Sequence, residues 1–166
     1  MSGQQWLWLL PVVPVLSAAA ADLAARRSWR RLLALATAGY SLLTVLNGQV
    51  AYTIDDEQNE LTASQSVVIE PNVSITAPGN KAELLYLTFS ASLVLQHAAT
   101  MRLIPPKSTV TFARNQLQQD QKLDALLAEF AVELSDDKPG KEIVMRALVE
   151  QVLVHLLRNY SQARLS

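Results

Sequence analysis

The chain has 166 residues, half of them hydrophobic and only 17% charged, with a net charge of −1. That length suffices for one domain with a real core, and the charge balance gives the whole chain no electrostatic case for nucleic-acid binding. There is no cysteine, which excludes disulfides, thiolate nucleophiles and cysteine-based zinc sites.

Residues 6–24 (WLWLLPVVPVLSAAAADLA) are apolar and then rich in small residues, and a basic patch follows at Arg26, Arg27, Arg30 and Arg31. The order resembles a signal peptide or a segment flanking a membrane span. Against export, no Lys or Arg precedes Trp6, Pro11 and Pro14 interrupt the run, and Asp22 falls where a longer span needs an apolar residue. The expectation is an extended lead-in strand around Leu9–Leu16, no membrane role and a cytoplasmic protein. Arg30–Ala38 has no clear period and fits helix or strand.

Tyr40–Leu46 is an apolar run ending in Asn47-Gly48, a strong short-range signal for a tight hairpin. Gln49–Ile54 alternates, with Val50, Tyr52 and Ile54 on one face. An acidic turn is expected at Asp55–Glu60, and a third strand at Ser66–Ile69, stopped by Pro71-Asn72. Three such runs predict a meander at the core of a small antiparallel sandwich or barrel. Glu83–Phe89, after Pro78-Gly79-Asn80, reads as a fourth strand, Ala91–Ala98 as a connecting helix or strand, and Thr109–Phe112 as a short final strand.

From about Gln116 the period changes. Leu123, Leu126, Leu127, Phe130 and Leu134 recur at three- and four-residue spacing, predicting an amphipathic helix that ends at Ser135–Gly140. A second helix is predicted from Lys141 to about Arg158, so residues 114–166 form a helical hairpin behind a barrel of residues 1–113. The stripe on the second helix is broad enough for a second subunit. The expected dimer seam is Met145, Leu148, Val152, His155 and Leu156. Sparse surface charge fits such a covered face.

The segments YSLLTVLNGQVAY (Tyr40–Tyr52), SQSVVIEPN (Ser64–Asn72), LTF (Leu87–Phe89) and PGKEIVMRALVEQVLVHLLRNY (Pro139–Tyr160), in this order, resemble the N-terminal sensor half of AraC-type transcription regulators. The resemblance implies an α+β fold: a cupin-like antiparallel β-barrel of jelly-roll type followed by a C-terminal helical hairpin. It also implies a small-molecule effector in the barrel and a homodimer through the hairpin. DNA contact is expected only through a helix-turn-helix domain absent from this chain, since no such pattern follows the hairpin before Ser166.

Many cupins bind a metal through His and Glu side chains. Alignment on Gly48 puts Ser41 at the usual Glu position and Ala34–Thr37 at the upstream His positions. In the second motif Asn72 takes the glycine position and Ile75 the His position. No ligand remains, so no metal, cofactor or catalytic residue is expected, and the chain is read as a non-enzyme. The alternatives are a free-standing metal-free cupin-like protein and, further off, a cupin enzyme acting on a small metabolite. Neither a G-x-S-x-G elbow nor a P-loop occurs.

The residues expected to meet an effector are Tyr40, Leu42, Thr44, Tyr52 and Glu70. The two tyrosines place a hydroxyl on an apolar body. Glu70 is a carboxylate at the end of an apolar strand, where it either contacts the effector or accepts backbone N–H groups. His155 is expected at a helix flank beside packed apolar residues, and Asp55, Asp56 and Glu57 as solvated turn residues.

Overall fold

The computed structural model describes residues 23–28, 34–36, 39–76, 82–104, 108–112 and 116–163. The lead-in strand around Leu9–Leu16 lies outside them. Eleven strands and three helices follow one another among the described residues. The strands are β1 (Leu23–Ser28), β2 (Ala34–Ala36), β3 (Tyr40–Asn47), β4 (Gln49–Ile54), β5 (Glu57–Thr62), β6 (Ser66–Ile69), β7 (Ser74–Thr76), β8 (Glu83–Phe89), β9 (Val110–Phe112), β10 (Gln116–Leu117) and β11 (Ser161–Ala163). The helices are α1 (Ala91–Thr100), α2 (Gln121–Ser135) and α3 (Lys141–Tyr160).

Two sheets face each other. One has the order β1-β8-β3-β6-β10 and the other β2-β7-β4-β5. All of their pairings are antiparallel. This is the expected cupin-like barrel of jelly-roll type within an α+β chain. A separate ribbon joins β11 to β9.

The meander expectation is corrected in one respect. Asn47-Gly48 makes no hairpin, because β3 pairs with β6 and β8 while β4 pairs with β5 and β7. The ladder of β3 on β8 shifts register between Val45 and Asn47, and Gly48, at φ 88°, lets the chain turn a corner into the other sheet. The hairpin lies one step later. Asp55 and Asp56 adopt φ of 50° and 64°, the left-handed pair of a two-residue turn, and close Ile54 onto Glu57. Residues 57–60 therefore form strand rather than turn. β5 has only Leu61 buried and sits at a sheet edge, where polar side chains discourage further pairing. Gly39 also has a steric role, since a Cβ there would lie 2.2 Å from the Phe89 carbonyl oxygen.

The helices begin at side-chain caps. Ser90 accepts from the Leu93 amide (3.1 Å) and Asp120 from the Leu123 amide (2.9 Å). The first helix of the hairpin starts at Gln121 rather than Gln116, because Gln116 and Leu117 pair with Val67 and Ser66. The second runs through Tyr160 and passes directly into β11.

The five-stranded sheet separates two cores. Between the sheets lie Leu43, Val45, Val67, Ile69, Leu84 and Tyr86 with Val50, Tyr52, Ile54, Leu61 and Ile75. On its other face Tyr40, Leu42, Val68, Leu85, Leu87 and Phe89 meet the buried faces of α1, α2 and α3. Strand alternation sends successive residues to opposite cores.

Candidate functional site: the barrel interior and the helical layer

The residues expected to line one effector pocket are divided by the sheet. Tyr52 lies in the barrel core, whereas Tyr40 and Leu42 pack on the helical side, and Thr44 shares their face by alternation. The shared-pocket expectation is corrected accordingly. The β3 residues facing the barrel are Ser41, Leu43 and Val45, because period two places them opposite Tyr40 and Leu42.

Inside the barrel the Tyr86 hydroxyl donates to Ser41 Oγ at 2.9 Å. Tyr52 comes from the opposing sheet and is 3% exposed. Its hydroxyl has no hydrogen-bond partner among the described residues, and burial pushes its phenol above the usual range. No charged side chain is buried among the described residues. Ser41 and Ile75, the positions aligned with cupin metal ligands, both face this interior, and neither side chain supplies a metal ligand of the imidazole or carboxylate kind. Among the described residues no three His, Asp or Glu side chains come together as a metal site. Ser41 and Tyr86 were not among the predicted site residues, although the alignment that put Ser41 at a ligand position already marked it as inward-facing.

The helical side holds a set of polar ties. Tyr40 donates to the Val110 carbonyl at 2.5 Å, and its ring meets Phe112 edge-on at a centroid distance of 5.8 Å. Glu70 Oε1 accepts from the Phe112 amide at 3.1 Å. Thr44 shares a 2.5 Å hydrogen bond with Ser66, opposite it on β6, and also donates to the Gln65 carbonyl. Glu70 thus takes the backbone-accepting role. Burial raises the Tyr40 phenol most, Glu70's charge adds to it, and the bond to Val110 offsets part. Of these residues, Tyr40 and Glu70 dock β9, and through it the β9–β11 ribbon, onto the barrel.

The predicted dimer seam is corrected as well. Met145, Leu148, Val152 and Leu156 are 0–3% exposed, and all belong to this chain's own core. The stripe is broad because it covers both α2 and the sheet. His155 flanks it, half-buried, with Nε2 2.7 Å from Asp120 Oδ2. Tyr160 donates to the same carboxylate oxygen at 2.5 Å. Burial alone would raise Asp120, but hydrogen bonds from Tyr160, the Leu123 amide and His155, with the His155 charge, outweigh it and hold the carboxyl below its usual range.

The outer face of α3 is open. An open groove of about 670 Å³ is lined by Lys122 and by Ala147, Gln151, Val154, His155 and Arg158 among others. Val132, Ile143 and Val144 are exposed at the hairpin's closed end.

Comparison with known proteins agrees with this geometry. A family model described as Cupin matches residues 42–162. The chain belongs to the cupin family. Among solved structures, the AraC-like transcriptional activator CuxR superposes with a TM-score of 0.58 at 11% identity, over 95% of this chain and 58% of that one. An apo variant of ToxT from Vibrio cholerae gives 0.53 at 11% identity, over 87% of this chain and 60% of that one. At such identities the likeness is one of fold, and the cupin chain spans about three fifths of each of these proteins. No curated protein matches it in sequence. Among the described residues no helix is long and apolar enough to cross a membrane.

Proposed function

We propose that this cupin chain is the effector-binding and dimerisation domain of an AraC-like transcription regulator, acting in the cytoplasm, with DNA contacted by a domain other than the one described. The observation that carries the reading is the extent of the likeness to the AraC-like activator, 95% of the chain, which takes in the helices as well as the barrel. The serine and isoleucine at the aligned ligand positions favour a non-enzymatic barrel.

The mechanism runs through the ribbon. A molecule between the sheets bears on the inner face of β3, whose outer face carries Tyr40. Tyr40 and Glu70 hold β9, β9 pairs with β11, and β11 continues α3. A small displacement in the barrel thereby reaches the end of the hairpin, giving a ligand two arrangements to choose between. The proposed dimer seam is the outer face of α3, with Val144, Ala147, Gln151 and Val154 at three- and four-residue spacing. The α3 residues of the inner stripe are already used within the subunit.

The test is a fusion of the chain to a helix-turn-helix domain that binds its operator only as a dimer. Operator binding is expected, and the pair Val144→Asp and Val154→Asp should abolish it while leaving the circular dichroism spectrum intact. A fusion that binds no better than the isolated DNA-binding domain would remove the reading.

A further inference from the structure

We infer that the open groove on the outer face of α3 is a ligand site of its own and takes a small organic anion, with a carboxylate or phosphate head at Lys122 and Arg158 and an apolar body on Ala147 and Val154. The inference goes beyond the proposed function, which puts the effector in the barrel, and it stands whether or not the barrel holds one.

Three observations carry it. The first is space. The groove measures about 670 Å³, within the range of small-molecule sites, and Lys122 of α2 faces it together with residues of α3. The second is charge. The other cations of the hairpin are engaged: Lys138 pairs with Asp136, Lys141 donates to the Leu134 carbonyl, and Arg146 has an interaction of its own. The side chains of Lys122 and Arg158 make no ion pair or hydrogen bond among the described residues, and both line this groove. Glu150 lines it as well but pairs with neither. An oxyanion that reaches the two cations gains charge-assisted hydrogen bonds, bidentate at the guanidinium. The third is a fixed wall beside Arg158. His155 Nε2 is held 2.7 Å from Asp120 Oδ2, and Asn159 donates to the His155 carbonyl at 2.8 Å. Both residues line the groove, so this side of it is ordered before a ligand arrives, which lowers the cost of binding. Ala147 and half-buried Val154 add apolar surface for the ligand's body. Glu150 and the chain's net charge of −1 weigh against a nucleic-acid strand, which needs a longer basic track. A small anion needs only the two cations.

Four probes separate the possibilities: phenyl phosphate and benzoate (the two heads on one ring), benzyl alcohol (the ring without charge) and inorganic phosphate (the head without the ring). Methyl NMR of the full chain, in a phosphate-free buffer of low ionic strength, reads them at Ala147 and Val154, with Val67 and Ile75 in the barrel as reference. Phenyl phosphate or benzoate is expected to shift the groove methyls saturably and leave the barrel methyls in place, and the tighter of the two names the head. Lys122→Gln combined with Arg158→Gln, both exposed side chains, should weaken that binding by about tenfold, the joint worth of two partly exposed charge contacts. Glu150→Gln should tighten it by about twofold to threefold. Benzyl alcohol binding as tightly as the ringed anions, or undiminished binding in the double variant, would overturn the anion site. Shifts at the barrel methyls instead of the groove would do the same. Inorganic phosphate binding as tightly as phenyl phosphate would overturn the apolar body. Silence from all four probes at the groove methyls would sink the inference. Ala147, Gln151 and Val154 also belong to the proposed seam, so the titration is repeated in Val144→Asp, a position outside the groove lining whose change weakens pairing. Anion binding is expected there too, and sedimentation reads the pairing separately, so a failed seam and a failed anion site give different results.

Discussion

The two cores on either side of the five-stranded sheet differ in how they treat polar atoms. On the helical side each polar group described above is matched: Tyr40 to Val110, Glu70 to Phe112, Thr44 to Ser66, and Asp120 to His155, Tyr160 and the Leu123 amide. Such matched pairs fix the place of each element and leave nothing to recruit a partner. Between the sheets the polar contact described is Tyr86 on Ser41, set among apolar side chains. A polar group that serves the fold comes with its partner, and an apolar lining holds its elements by shape and burial instead.

The most severe way to break this division is to empty the helical core. Phe130 is fully buried there, and Phe130→Ala should cost about 3–5 kcal/mol, read by urea denaturation. If the shared sheet makes both cores one cooperative unit, probes in the barrel and in the helices will report one coincident transition. Two separate transitions would mean that the cores are independent and that the ribbon transmits little.

A milder break is at Asp120, which ties the start of α2 to the end of α3. Asp120→Ala removes a helix cap and two side-chain hydrogen bonds and should cost about 2 kcal/mol. Its pH dependence follows from the depressed pKa. A carboxyl lowered by folding contributes stability above its unfolded value of about 3.9 and loses it as pH falls through the folded value. The advantage of wild type over Asp120→Asn should therefore be full near neutrality and shrink below about pH 4. Asp124 is raised by burial and then by Asp120's charge, so it should titrate lower in Asp120→Asn. An advantage that stayed constant down to acid pH would mean that Asp120 acts by shape alone.

Much of this arrangement was legible in the sequence. Tyr40–Leu46, Gln49–Ile54, Ser66–Ile69 and Glu83–Phe89 read as strands because their apolar and β-branched side chains are what a packed sheet requires, and all four fall within observed strands. The hairpin read equally well, since its leucines keep a helical period. The failures have a common cause. Asn47-Gly48 signals a turn, but a local signal does not say whether the chain folds back or crosses to another sheet. Glu57–Glu60 carries no apolar pattern because an edge strand buries almost nothing. For the site, alternation correctly grouped Tyr40, Leu42 and Thr44, yet period two is silent on which face meets the ligand. All six residues Tyr40–Val45 are buried, so β3 reads the same from either side.

The gentlest test lies at Glu70, on the boundary between the two cores. Glu70→Gln keeps an acceptor for the Phe112 amide and loses only its charge, a change of about 1 kcal/mol or less. Its informative readout is Tyr40, whose phenol is raised first by burial and next by the Glu70 charge. A phenol raised by folding contributes stability below its unfolded pKa, and that stability is lost as pH rises through the folded value. Removing the Glu70 charge should lower the Tyr40 pKa and so make the alkaline loss shallower in Glu70→Gln than in wild type, measured by ultraviolet titration together with thermal melts. Faster amide exchange at Phe112 and along β11 should accompany it, because the weakened bond is one of those that hold the ribbon to the barrel. If Tyr40 titrates unchanged and the ribbon amides exchange at the wild-type rate, the barrel edge and the ribbon are not coupled through Glu70. The route from the barrel to α3 would then rest on Tyr40 alone.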